Sequence, residues 1–420
     1  MRLFEGFGLI SLSMKPLYLF ISITVFASFA FPEDWPGFGG INGDFKSLEK
    51  DINTNWDKKE PLQIWTAKVG LGFSSIIEAE GFAFTQGYSN GKNTLYCLQA
   101  NDGKIIWKAD FPCPKSDNYF KGGSRTTPLF YNGNLYLCTH VGDLYCLSAE
   151  SGDVKWSFNL EKDFKGKRPT WGYAASPVIF ANKLFLVTGA ENTSLISLNP
   201  ETGEVIWKKG NYEAAYASPV FNESAEEILV FHESGLSIHN IGDGEEKSFY
   251  QHKTRYGINA AQPLKLDKKI LVSSAYGKGS AFIDFSGKTP SALWKTDKVA
   301  SQMASAIYNE GFIYGIHGQA GTRSNFSTIF CLNADNGKIF WEHKGYGLSS
   351  IILVGKTLVV LSEKGELALI EANPNKFTEL ANFQVLSGKD NWIPPTYANG
   401  RLHCRSSDGD WVCLKLNKSL

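Results

Sequence analysis

LYCLQANDGKIIWK (95–108) returns with its pattern intact as LYCLSAESGDVKWS (144–157), LISLNPETGEVIWK (195–208) and IFCLNADNGKIFWE (329–342). In each copy an alternating aliphatic strand runs into a polar turn that ends in Gly, and the next strand carries a Trp. Alternation with a period of two marks a half-buried strand, and Gly supplies the positive φ that such a turn demands. Weaker copies occupy 236–249, 281–295 and 367–380, and an eighth, WVCLKL (411–416), stops before its Trp strand. Upstream of the copies lie two further strands split by a short turn, as in TPLFYNGNLYLCTH (127–140) and SPVIFANKLFLVTG (176–189). Each repeat thus holds four antiparallel strands, A to D, and the period is about 45 residues, the size of a propeller blade.

The two ends of the array complement each other. LQIWTAKVG (62–70) is a Trp strand with no A, B or C strand before it, while the last repeat lacks its D strand. One fills the gap of the other. The expectation is an all-β, eight-bladed propeller over 62–420, its ring closed by the N-terminal strand so that no sheet edge stays open.

Composition narrows the function classes. At 420 residues the chain exceeds one ordinary domain unless a repeat spreads the core. Lys+Arg and Asp+Glu are equal at 42 each, so no net field draws a polyanion and nucleic acid is not an expected partner. Residues 1–30 read as a signal peptide: Lys15 precedes an apolar run from Leu17 to Phe29, and Ser28 and Ala30 place cleavage before Phe31. An uncleaved anchor is the alternative, and Met14 is a second candidate start. A leader, 31–61, follows. The expected location is a bacterial periplasm or the extracellular space, without a transmembrane segment after cleavage.

No catalytic constellation stands out. The seven His are scattered without HxH or HExxH pairing, so no metal site is expected, and there is no GxSxG elbow. Cys97, Cys146, Cys331 and Cys413 share the third place of strand C and read as small packed hydrophobes. A two-residue Asp408-Gly409 turn would put Cys404 opposite Cys413, within reach of a disulfide.

The LYCL strand, the (D/S)G turn and the Trp strand together resemble the pyrroloquinoline-quinone-type (PQQ-like) propeller repeat. The resemblance covers nearly the whole chain after the signal. Two branches of that family are quinoprotein alcohol dehydrogenases and the BamB-type outer-membrane assembly scaffold. A lone ring with little appended is similar to the second. The first branch implies quinone held beneath a disulfide of adjacent cysteines, with Ca²⁺ and a catalytic carboxylate. This chain has no Cys-Cys pair, so no cofactor is expected. The second branch implies membrane tethering through a lipobox Cys, which is absent here.

Topology puts D-to-A and B-to-C connections on one face, where the long segments 109–125, 158–174 and 317–328 fall. The other face carries short turns. Residues just before each inner strand should ring the channel mouth on the elaborated face: Phe73, Arg125, Tyr173, Tyr216, Asn259, Gln302, Tyr346 and Trp392. Aromatics mixed with amides suit an extended peptide or a sugar, or simply plug the channel. The reading is a non-enzymatic scaffold for an envelope protein or peptide. Its alternatives are a quinone-dependent oxidoreductase of reduced design and a carbohydrate-binding propeller.

Overall fold

β-Branched and aromatic residues at alternate positions, punctuated by turn glycines, leave this chain little choice but short strands. The computed structural model describes residues 33–56, 60–115, 120–321 and 326–417. The signal reading and the Met14 start lie outside the described residues. Pro32–Leu420 is one compact unit, so residues 33–56 fold with the ring.

Eight sheets succeed one another around a channel, each beginning with its innermost strand. The inner strands are Ile77–Ala79, Leu129–Tyr131, Val178–Phe180, Val220–Asn222, Leu264–Leu266, Ile307–Asn309, Ser350–Val354 and Thr396–Ala398, which open blades 1 to 8. Blade 8 takes its outer strand from the other end of the chain. Leu62–Lys68 pairs antiparallel with Asp410–Lys415, with Trp65 opposite Cys413. Ring closure is therefore as read from the sequence.

The repeat tryptophans fasten blade to blade. Trp65, Trp107, Trp156, Trp207, Trp294 and Trp341 each donate Nε1–H to a backbone carbonyl in the following blade, at Ala100, Ala149, Pro200, Ile241, Ala334 and Asn373. The rings lie over the turn glycines. A Cβ at Gly103, which has φ +73°, would meet the Trp65 ring at 2.6 Å. The Gly of the motif is thus required both by the turn and by the indole above it.

A second fastening joins neighbouring blades beside the channel, in blades 1 to 4 and between blades 5 and 6. Two residues before the inner strands stand Ser75, Thr127, Ser176, Ser218, Gln262 and Ser305. Ser75 N donates to Thr127 Oγ1 (3.0 Å), Thr127 N to Ser176 Oγ (2.9 Å), Ser176 N to Ser218 Oγ (2.9 Å) and Gln262 N to Ser305 Oγ (3.1 Å). These hydroxyls satisfy backbone donors that a strand start would otherwise bury unpaired.

The leader enters the channel from the short-turn face. Trp35 bridges to Glu78, Phe130 N donates to Pro36 O (2.8 Å), and Leu353 N donates to Phe45 O (2.9 Å). Lys46–Ser47 then adds a fifth, parallel strand to the inner strand of blade 7. Trp35, Phe45 and Ile52 are all buried there.

The expected Cys404–Cys413 disulfide is not made. All seven cysteines are free and buried. His403, not Cys404, lies opposite Cys413, and Cys404 lies opposite Val412. Ser406 N donates to Asp410 O, so the turn holds three residues rather than two. That single extra residue sends the two thiols to opposite faces of the sheet. Cys404 packs with the core shared with blade 7, whereas Cys413 packs with Trp65 and Trp411.

Candidate binding site at the channel mouth

In seven of the eight blades the residue four positions before the inner strand lines the channel above the hydroxyl belt; in blade 7 that place is Tyr346, which lies in the core. Phe73, Arg125, Ala174, Tyr216 and Ala260 occupy that place in blades 1 to 5, and Met303 and Trp392 in blades 6 and 8. Together they line a cavity of about 160 Å³ on the long-loop face. Three of these side chains are small or flexible, which leaves the space. Loop residues Phe120, Trp171 and Tyr276 wall it, and Phe38 of the leader also lines it.

Of the eight residues expected at the mouth, Phe73, Arg125, Tyr216, Gln302 and Trp392 line this cavity. Tyr173, Asn259 and Tyr346 do not. Tyr173 is buried, with its hydroxyl donating to Thr188 O at 3.1 Å. Asn259 is wholly buried. Its Nδ2 donates to His232 O (2.8 Å) and His252 O (3.0 Å), and its Oδ1 accepts from Ser274. Tyr346 sits in the blade 7 core and bonds Glu379. In blades 3 and 5 the sequence register runs one residue early, and one residue turns a side chain from channel to wall; in blade 7 the register holds and Tyr346 itself turns into the core. Aligning on Thr127-Pro128, Ser176-Pro177, Ser218-Pro219 and Gln262-Pro263 would have found Ala174 and Ala260 instead. Trp171, Phe120 and Tyr276 carry no repeat signal, because they come from loops of unequal length.

The cup has a defined shape. Phe73 and Trp392 stack with centroids 5.6 Å apart and planes 15° from parallel, and Phe120 meets Trp392 edge-on at 5.1 Å. Arg125 lies over the Phe73 face, 5.6 Å from its centroid. Trp171 and Tyr216 form a second edge-to-face pair at 5.9 Å. Gln302 is held at both ends of its amide: its Oε1 accepts from Ala320 N (2.6 Å) and its Nε2 donates to Tyr276 Oη (3.3 Å). Trp392 Nε1 is buried and finds no acceptor among the described residues.

Among the described residues the lining contains no carboxylate, thiol or imidazole; its ionisable side chains are Arg125, Tyr216 and Tyr276. The described lining thus lacks the carboxylate ligands that a hard cation favours. The donor set does not fit a quinone held with Ca²⁺. Elsewhere, burial pushes the thiols of Cys97 up to about 12 and of Cys146 and Cys331 up to about 11, so they are poor nucleophiles. Burial lowers His232 and His252 to about 3, which leaves both rings neutral. Among the described residues no group of three His, Cys, Asp or Glu is placed to hold a metal, and no helix is long and apolar enough to cross a membrane.

The family model described as outer membrane protein assembly factor BamB matches residues 91–343. No curated protein matches the chain by sequence. Among solved structures, BamB from Moraxella catarrhalis is similar at 14% identity and TM-score 0.62, covering 86% of this chain and 99% of that one. Quinohemoprotein alcohol dehydrogenase from Comamonas testosteroni is similar at 14% identity and TM-score 0.66, covering 92% and 81%. A europium-containing methanol dehydrogenase aligns at 11% identity and TM-score 0.67, covering 91% and 89%. At such identities the likeness is one of fold.

Proposed function

The chain belongs to the PQQ-like propeller family whose model bears the name of the assembly factor BamB, and we propose that it is an exported, non-enzymatic scaffold that holds a protein or peptide partner at its channel mouth. Fold alone does not choose between scaffold and dehydrogenase, since both occur among its structural neighbours. The observation that carries the choice is the cup: a mainly aromatic concavity whose described lining holds no carboxylate, thiol or imidazole. Such a lining favours binding over chemistry. Export rests on the signal-like residues 1–30, with Lys15 and the apolar run to Phe29.

Exposed groups around the cup extend the surface. Tyr256 is 54% exposed, meets Tyr276 edge-to-face at 5.4 Å and lies beneath Arg255. Aromatics and Arg together are the residue types that dominate binding energy at protein interfaces.

Cross-linking from Tyr256 in envelope extract, followed by mass spectrometry, tests the reading. A discrete protein adduct is the expected outcome. Absence of any adduct, together with dye reduction by alcohols or sugars after quinone and Ca²⁺ are added, would replace it with the oxidoreductase. Saturable binding on a glycan array would replace it with the carbohydrate reading.

A further inference from the structure

The cup is the size of one aromatic ring. Its volume of about 160 Å³ compares with the engineered apolar cavity of about 150 Å³ that stays dry and admits benzene. We propose that it receives a single Phe, Tyr or Trp side chain from an extended segment of a protein partner. This rests on the scaffold reading and names the group that the site takes.

Two observations bear on the occupant. The near-parallel Phe73–Trp392 pair and the edge of Phe120 present both faces and edges of rings, the arrangements in which a further aromatic gains beyond its buried area. In addition, Gln302 is held at both ends of its amide by Ala320 and Tyr276. A sugar would have Arg125 and the Tyr216 and Tyr276 hydroxyls as its polar partners, so the comparators below include one. The leader residue Phe38 lines the same space, so a side chain inserts rather than a strand threading through.

The test uses the full-length protein and ligand-observed saturation-transfer NMR with N-acetyl-phenylalaninamide. N-acetyl-leucinamide, methyl glucoside and pyrroloquinoline quinone serve as comparators. Expected is transfer focused on the phenyl protons, with the leucine compound at least about fivefold weaker. Met303→Trp, which fills the cup, should weaken binding at least about tenfold. Ala260→Leu gives a second, smaller filling variant should Met303→Trp misfold. Absent transfer to the phenyl ring, transfer unchanged in both filled variants, or preferential binding of the glucoside or the quinone would each overturn the proposal. The two readings fail separately. A Tyr256 adduct that persists unchanged in a folded filled variant sinks the ring pocket and leaves the scaffold standing, whereas loss of every adduct with gain of turnover sinks the scaffold.

Discussion

Glu78, on the inner strand of blade 1, meets His403, on the second strand of blade 8, at 2.7 Å with both side chains wholly buried. Arg401 joins them, its Nε donating to Glu78 Oε2 at 3.2 Å and its Nη2 to Oε1. Asn399 donates to Oε1 as well, at 2.8 Å. Trp411 Nε1 faces His403 Nδ1 at 3.2 Å. An indole can only donate, so Nδ1 is the acceptor and Nε2–H points at the carboxylate. The seam between the first and last blades is thus held by buried charge as well as by the strand that closes the ring.

Acid should open that seam. Burial alone would raise the Glu78 pKa, but His403 and Arg401 bring it below the ordinary carboxylate value. A depressed folded pKa means stability that is present above the unfolded carboxylate pKa and lost as pH falls through the folded one. Glu78→Gln should cost about 3 kcal/mol near neutrality, because it strands Arg401 without its counter-charge. Thermal melts from pH 7 down to pH 3 check this. The gap between wild type and Glu78→Gln should shrink toward the acid end, and a constant gap would mean that Glu78 is not the titrating group.

The closure of the ring was legible because Trp65 advertises an outer strand and the chain's last residues lack one. The hydroxyl belt was written in the sequence too, as Thr127-Pro128 and Ser176-Pro177, but its meaning depends on neighbouring blades and no single repeat displays it. What was illegible has a physical cause in each case. The Cys404 turn contains one residue more than its Asp408-Gly409 dipeptide suggests. The leader strand is only two residues long and pairs Lys46 with Leu353, a partner too distant for local pattern to reveal. Trp171 and Phe120 come from loops, where length sets position and repeat register gives no guide.

The inter-blade tryptophans should matter through their nitrogen as well as their bulk. Trp207 is buried and donates to Ile241 O at 3.1 Å. Trp207→Phe keeps a ring but leaves that carbonyl without the indole donor, a loss of about 1–3 kcal/mol. Urea unfolding should show the midpoint falling with the slope unchanged. A variant as stable as wild type would reduce the indole bond to an incidental contact.

The belt makes a parallel claim about a much smaller group. Ser176→Ala removes one hydroxyl oxygen, yet it leaves the buried Thr127 N–H without an acceptor. The expected loss is about 1–3 kcal/mol, with the amide proton of Thr127 exchanging faster with solvent. Unchanged exchange at Thr127 would show that another acceptor takes over.

Free thiols are unusual for a chain read as exported, and burial explains why they can persist. Every cysteine is buried, and burial pushes Cys113 up to about 11 and Cys97 up to about 12. The folded protein should therefore resist a thiol reagent such as dithionitrobenzoate, and all seven groups should react once it is unfolded in guanidinium. Rapid labelling of the native protein, or a mass two units low from an unexpected disulfide, would contradict the packing.

The leader is the part whose role in stability is most open to measurement. Phe45 is buried, lies edge-to-face with Phe38 at 5.2 Å, and gives its carbonyl to Leu353 N at the inner strand of blade 7. Phe45→Ala should cost about 3–5 kcal/mol if the leader unfolds only with the ring, the range for removing a buried phenyl group. If instead the leader detaches by itself, the loss in global stability will be small and residues 33–56 will become protease-sensitive in the native state. Limited proteolysis beside thermal melts separates the two. The structure leads us to expect the first, since Trp35 and Phe45 share one continuous core with blades 6, 7 and 8. Detachment would also remove Phe38 from the cup, so the same experiment reports whether the floor of the binding site belongs to the ring.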